Sequence, residues 1–201
     1  DIDDDIEHHL RRVLRLRDGE RVSVTDGAGR WRMCAVVAGT GLGLEATTGI
    51  VSDARRDPFT LASAIPKGDR VDWMVQKTTE LGADRILLLH AERSTVRWKR
   101  ERADKQRNRL QRIADESLRQ SRRVWRCVVD GPVPAVDAVR GATVAEPGGT
   151  SVRGDESMIA IGPEGGWAAS ELDGASRLVA VGAHVLRVET AAVAATTPRR
   201  P

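Results

Sequence analysis

From Arg21 to Thr25 valines alternate with polar residues, the spacing of a strand with one covered face. Asp26-Gly27-Ala28-Gly29 interrupts this run as a turn, and Trp31 to Val37 resumes as a second strand. Gly39 to Gly43 predicts another turn, followed by a third strand over Leu44 to Val51. Short strands joined by glycine-rich turns predict a small β-barrel. A short helical stretch, His8 to Leu16, precedes it. Asp53 to Pro58 is polar and ends in proline, the composition of a linker. The chain therefore divides into a barrel over residues 1–56 and a second domain over residues 57–201.

Beyond the linker the period changes. Thr60 to Ile65 is a short apolar strand. Val71, Met74, Val75, Thr78 and Leu81 fall on one face of a helix over 68–81. Gly82 stands where a helix end favours glycine. Ile86 to Leu89 is an uninterrupted apolar strand, as in a parallel sheet covered on both sides. A long helix over 103–120 buries Leu110, Ile113, Ala114, Ser117 and Leu118. Further strands are expected at Val124 to Val129, Thr143 to Ala145, Met158 to Ile161 and Leu178 to Val181, with an exposed loop over Pro147 to Glu156. Strands alternating with helices predict an α/β domain with a mainly parallel sheet.

Composition narrows the function classes. One Phe, five Trp and no Tyr leave few rings for stacking single-stranded bases. The net charge of +3 identifies no partner alone. Its distribution says more: acidic residues crowd the start, while arginine and lysine crowd Arg93 to Arg126. That face suits a polyanion, and a solvated helix explains it equally well. Cys34 and Cys127 form no CxxC, and His8 and His9 have no further ligand at metal spacing. No run reaches the roughly 20 apolar residues of a membrane span. The expected setting is the cytoplasm, with no membrane and no metal.

Two segments carry candidate chemistry. Ile159-Ala160-Ile161 leads into Gly162-Pro163-Glu164-Gly165-Gly166, a strand running into a glycine-rich turn. Ligands of open α/β sheets bind beyond such carboxyl ends, although a plain tight turn has the same composition. No lysine follows the glycines as in a P-loop. Val181-Gly182 leads to Leu186-Arg187-Val188-Glu189-Thr190-Ala191, where a helix of small residues begins. Free N–H groups in its first turn can meet a ligand, and an ordinary terminal helix is the alternative.

Taken together these residues resemble the RsmE family of 16S rRNA (uracil-N3)-methyltransferases, within the SPOUT superfamily. The matches in order are His8-His9-Leu10 with Val13-Leu14-Arg15, Lys67-Gly68-Asp69-Arg70, Gln76-Lys77-Thr78-Thr79-Glu80-Leu81-Gly82, Glu92-Arg93-Ser94, Gln120-Ser121-Arg122-Arg123, Gly162 to Gly166 with Trp167 after it, and Leu186 to Ala191. Val188 stands where that family commonly has threonine, and Glu116-Ser117-Leu118-Arg119 replaces a more alanine-rich stretch.

The resemblance implies a PUA-like barrel followed by a SPOUT domain with a C-terminal trefoil knot, acting as a homodimer. It implies methylation of uracil 1498 of 16S rRNA at N3, with S-adenosylmethionine as cofactor and the assembled small ribosomal subunit as the expected substrate. Carried over residue by residue, the cofactor site comprises Ala145, Glu146, Gly162, Pro163, Glu164, Gly165, Gly166, Val181, Gly182, Leu186, Arg187, Glu189, Thr190 and Ala191. Arg123, Arg187 and Glu189 are the catalytic candidates. RNA contacts fall to Arg11, Arg12, Arg15, Arg93, Arg97, Lys99, Arg100, Arg122 and Arg123. A SPOUT enzyme acting on another rRNA or tRNA site, and a non-catalytic ribosome assembly factor, are the alternative readings.

Overall fold

The computed structural model of the chain describes residues 16–38 and 42–197. Apart from Leu16, the expected helical stretch from His8 lies outside them, and with it Arg11, Arg12 and Arg15. Residues 39–41 of the expected glycine turn lie outside them too. The chain divides into two units, one ending at Arg55 and the other starting at Arg56.

The first unit holds four antiparallel strands, β1 (Arg21–Thr25), β2 (Arg30–Ala38), β3 (Leu42–Ala46) and β4 (Val51–Ser52). Asp26 shapes the β1–β2 turn: its Oδ1 accepts the N–H groups of Ala28 and Arg30 at 2.8 and 3.1 Å. β2 pairs with the other three strands, and its Cys34 and Val36 are buried on one face. The third strand expected over Leu44 to Val51 is two strands. The hydroxyl of Thr48 accepts the Met33 N–H at 3.0 Å and that of Thr47 donates to the Met33 carbonyl at 3.1 Å. The Thr48 side chain thus takes the Met33 N–H that a continued ladder would give to a backbone carbonyl, and the chain turns before β4.

The second unit is built on six parallel strands. In chain order they are β5 (Thr60–Ala64), β6 (Arg85–His90), β7 (Val128–Pro134), β8 (Thr143–Ser151), β9 (Met158–Ile161) and β10 (Arg177–Ala180). Across the sheet the order is β10-β8-β9-β5-β6-β7. Between them run α1 (Arg70–Glu80), α2 (Arg100–Gln120), α3 (Ala135–Ala138), α4 (Ala169–Leu172) and, after β10, α5 (Val188–Thr196). The period of two sorts the strands between two cores. Leu61, Ile86, Leu88, Val129, Ile159 and Val179 join Val71, Met74, Leu110, Ala192 and Ala195 from α1, α2 and α5. Ala62, Leu87, Leu89, Val144 and Ala160 face the other way, against Ala135, Val139 and Trp167. Both faces are covered, which is why β6 reads as a continuous apolar run.

Helix α1 ends in a Schellman motif. The Gly82 N–H donates to the Thr79 carbonyl and that of Ala83 to Thr78, with Gly82 at φ +108°. Helix α2 ends the same way without glycine: Arg122 holds φ +56°, and Arg123 N–H reaches the Leu118 carbonyl.

Two strand boundaries differ from expectation. β7 starts at Val128, whose N–H donates to the Asp84 carbonyl, whereas the preceding Arg126 is drawn to Asp115 at 2.7 Å. β8 does not stop at Ala145 but continues to Ser151, so the first half of the loop expected over Pro147 to Glu156 is sheet. Its pairing with β10 jumps from Val144↔Leu178 to Thr150↔Val179. The chain from Ala145 to Gly149 therefore leaves that ladder as a wide bulge and rejoins it. Only glycine fits at the return, since a β-carbon on Gly149 would fall 2.6 Å from the Val179 backbone.

Candidate functional site

In a parallel sheet all carboxyl ends lie on one edge, and loops from neighbouring strands converge there. Three do so beyond β8, β9 and β10: the bulge after Val144, the glycine turn after Ile161, and the segment from Val181 into α5. They enclose a small, half-open cleft of about 140 Å³.

The glycine turn is fixed from both sides. Gly166 N–H donates to the Pro163 carbonyl at 2.9 Å, and Gly166 itself holds φ +73°. The Trp167 indole packs on Gly162, and its Nε1–H donates to the Ala145 carbonyl at 3.0 Å, tying this turn to the bulge. At α4 the Glu171 carboxylate accepts the Ala168 N–H at 2.9 Å and the Glu92 N–H at 2.8 Å. That buried carboxylate joins the turn to the loop after β6. On the turn's outer side Arg93 packs within 3.2 Å of where a Gly165 β-carbon would stand.

Among the expected cofactor residues, Ala145, Glu146, Gly162, Pro163, Glu164, Gly166, Val181, Gly182, Leu186 and Ala191 line the cleft. Gly165, Arg187, Glu189 and Thr190 belong to the same loops but not to the lining. Arg187 is exposed at the N-cap of α5 and Thr190 is exposed one turn on. Glu189 is 8% exposed, and its Oε2 is buried without a hydrogen-bond partner.

Pro147, Ile161, Trp167, Ala180, His184, Val185 and Val188 complete the lining and were not singled out as site residues. Their signal was position, at the ends of apolar strands. Arg70 was also missed. It opens α1, and its Nη1 lies 3.1 Å from Glu164 Oε1 and 3.8 Å from Glu189 Oε1, bridging the glycine turn and α5.

The basic residues separate into two sets. Arg93, Arg97, Lys99 and Arg100 are exposed in and after the loop that follows β6, on the cleft's edge of the sheet. Arg97 there donates to the carbonyls of Ala91 and Glu92, both at 2.9 Å. His90, at the end of β6, accepts the Trp98 N–H at 3.2 Å; burial, then the charge of Arg97, lowers its pKa. Arg122 and Arg123 lie at the opposite edge. Arg123 donates to the carbonyls of Thr79 and Ala83 at 2.6 and 2.8 Å and pairs with Asp84 at 3.1 Å. Asp84 also accepts the Phe59 N–H, at the amino ends of β5 and β6. Burial pulls the Arg123 pKa down, countered by its pairing with the Asp84 carboxylate. Expected as a catalytic candidate, it is within one chain a half-buried clamp on the end of α1, at the edge opposite the cleft. Lys67 is exposed, and Glu80 pairs with Lys77 at 2.9 Å.

Among the described residues no group of three His, Cys, Asp or Glu is placed to hold a metal ion, and no helix is long and apolar enough to cross a membrane.

Comparison with known proteins follows this division. Residues 54–198 match the family model of an RNA methyltransferase domain, and residues 2–47 that of an RNA methyltransferase PUA domain. Ribosomal RNA small subunit methyltransferase E of Mycobacterium tuberculosis is 32% identical over 218 residues, covering 96% of this chain and 83% of its own. The crystal structure of ribosomal RNA small subunit methyltransferase E from Neisseria gonorrhoeae, bound to S-adenosyl methionine, is 27% identical with a TM-score of 0.81, over 97% of this chain and 88% of that one. A methyltransferase from Legionella pneumophila in complex with the cofactor SAM is 26% identical with a TM-score of 0.83, over 98% and 88%.

Proposed function

The chain belongs to the RsmE family of ribosomal RNA small subunit methyltransferases, and from that premise we propose that it methylates N3 of a single uridine, uracil 1498 of 16S rRNA, using S-adenosylmethionine. The observation that carries the reading is the cleft itself: three loops meet beyond β8, β9 and β10, as a small-molecule site of this fold requires.

The residues present fit the cofactor. Ile161, Val181, Leu186, Val188 and Ala191 offer apolar walls for an adenine ring. Backbone groups of the bulge and of both loops supply polar contacts without long side chains. Gly162 and Gly182 keep that backbone close, since a β-carbon at either would meet Trp167 or Leu186. When bound, the cofactor supplies an electrophilic methyl group.

The protein's part is placement and charge. Loss of the N3 proton builds negative charge on the uracil oxygens, and a cation held near them stabilises it. Arg187 suits this role, exposed at the start of α5 beside the cleft-lining Leu186 and Val188. Glu189 is almost buried next to Arg70, a place for a carboxylate that holds the helix start rather than one that meets the base. Arg93, Arg97, Lys99 and Arg100 form the RNA-facing rim, where phosphate contacts make affinity fall with salt. The trefoil knot, the homodimer, the assembled small subunit as substrate and the cytoplasm as setting are carried over with the family.

The test is complementation. A bacterium lacking its own N3-uridine mark on 16S rRNA should regain it when this chain is expressed. Normal expression of folded protein with no mark restored would refute the proposal.

A further inference from the structure

The charged groups around the cleft are unequally distributed. Its lining carries two carboxylates, Glu146 and Glu164, and no arginine or lysine. A third carboxylate stands directly behind: Val188 and Ala191, on either side of Glu189 in α5, are both in the lining. Glu189 is 8% exposed, and its Oε2 has no partner. The cation paired with this group is shared, since Nη1 of Arg70 serves both Glu164 and Glu189. Arg187 is exposed at the start of α5, and Arg93 reaches the outer carbonyl of Gly165 at 3.5 Å. Both belong to the rim, not to the lining.

Negative charge held in a partly dry site is unfavourable unless something positive arrives to meet it. We infer that this acidic wall reads the charge of the bound cofactor, favouring the sulfonium over the thioether left after methyl transfer. The inference rests on the cofactor reading above. The ammonium and carboxylate of the methionyl end cancel, so the sulfonium form carries one net positive charge. Methyl transfer breaks the carbon–sulfur bond, leaves that electron pair on sulfur, and the product is neutral overall. An attraction to the Glu146, Glu164 and Glu189 carboxylates is present before the reaction and absent after it. Near a protein surface such attraction already exceeds its value in bulk water several-fold. The same groups that capture the charged cofactor therefore favour release of the spent one. Arg70 tempers the effect by neutralising part of the wall.

Calorimetric titration of the full chain tests this with three ligands. They are S-adenosylmethionine, S-adenosylhomocysteine, and the analogue that carries an aminomethine in place of the sulfonium. That analogue keeps the positive charge but has no methyl to transfer. Wild-type protein should bind both charged ligands more tightly than the thioether. The thioether-to-sulfonium ratio of dissociation constants should fall about three- to tenfold in Glu146→Gln and in Glu164→Gln. It should rise in Arg70→Gln, and the amine analogue should follow the sulfonium ligand throughout. Glu146 takes part in no ion pair among the described residues, so its variant keeps the test open if loss of the Arg70 contact unfolds the other. Ratios unchanged in both glutamine variants overturn the inference. So does an amine analogue that follows the thioether, because contact with the methyl group then sets the preference. Wild-type protein that takes up none of the three refutes the cofactor reading itself.

Discussion

The Trp167 indole sits so close to Gly162 that a β-carbon there would fall 2.8 Å from its Nε1 and Cε2 atoms. The same Nε1–H donates to the Ala145 carbonyl. One ring thus fixes the spacing between the bulge of β8 and the turn after β9, the two walls of the cleft.

Gly162→Ala should push the ring off Ala145 and weaken cofactor binding by about tenfold or more, the loss of one good buried hydrogen bond. Far-ultraviolet circular dichroism should stay unchanged. Gly166→Ala is the contrast. Nothing lies within 4 Å of its β-carbon, but its φ of +73° penalises any side chain, so roughly 1–2 kcal/mol of stability should be lost through backbone strain. Calorimetry and urea unfolding on both variants check the pair. Unaltered affinity in Gly162→Ala would contradict the placing of the cleft.

Arg123 acts on stability. Its removal takes the guanidinium from the carbonyls of Thr79 and Ala83 and leaves the half-buried Asp84 carboxylate without its cation. Arg123→Ala should cost about 3 kcal/mol in urea unfolding, as breaking a largely buried pair does. Cofactor affinity of the folded fraction should change less than about twofold, a shift under ~0.5 kcal/mol. Strongly weakened affinity at unchanged stability would restore it to the catalytic site.

The neighbouring Arg122 makes the opposite prediction. It holds φ +56° at the position where a Schellman motif favours glycine. Arg122→Gly should therefore stabilise the protein by up to about 1 kcal/mol despite the greater freedom glycine gives the unfolded chain. A loss of stability on thermal or urea unfolding would show that the arginine side chain makes contacts that outweigh the strain.

Burial pushes the Cys127 thiol up to about 11, a shift opposed by the nearby charge of Arg123. The folded state therefore holds the thiol proton more tightly than the unfolded chain. By linkage, this stability contribution is complete below the ordinary thiol value of 9.0 and is lost as pH rises towards about 11. Urea midpoints of the wild type should fall more steeply between pH 8 and 10.5 than those of Cys127→Ala. Alkylation of Cys127 at neutral pH should require unfolding. Parallel midpoint curves, or rapid labelling of the native protein, would disprove it.

Much of the fold was legible because local pattern and tertiary burial agree. The continuous run Ile86 to Leu89 signals a strand covered on both faces, and Val71, Met74, Val75 and Thr78 signal the buried face of α1. Gly162 to Gly166 announced the site by standing directly after a buried strand. The extension of β8 was not legible. Pro147, Gly148 and Gly149 have the composition of a loop, and the bulge exists only in the register against β10, more than 25 residues away. Arg70 escaped for a similar reason. Its partner Glu164 is 94 residues distant, and no local period marks an ion pair across a sheet edge. Arg123 was a catalytic candidate from its place in the matched motif Gln120-Ser121-Arg122-Arg123, and its clamp on the α1 terminus was not legible because Thr79 and Ala83 lie some 40 residues away.

The most direct measurement is methyl transfer from labelled S-adenosylmethionine to small ribosomal subunits purified without their N3-methyluridine, with the product mapped by mass spectrometry. Label at a single uridine N3 of 16S rRNA, reduced in Gly162→Ala at limiting cofactor and retained by the folded fraction of Arg123→Ala, is the predicted result. No label from protein that binds the cofactor, or label on another base, would contradict the assignment.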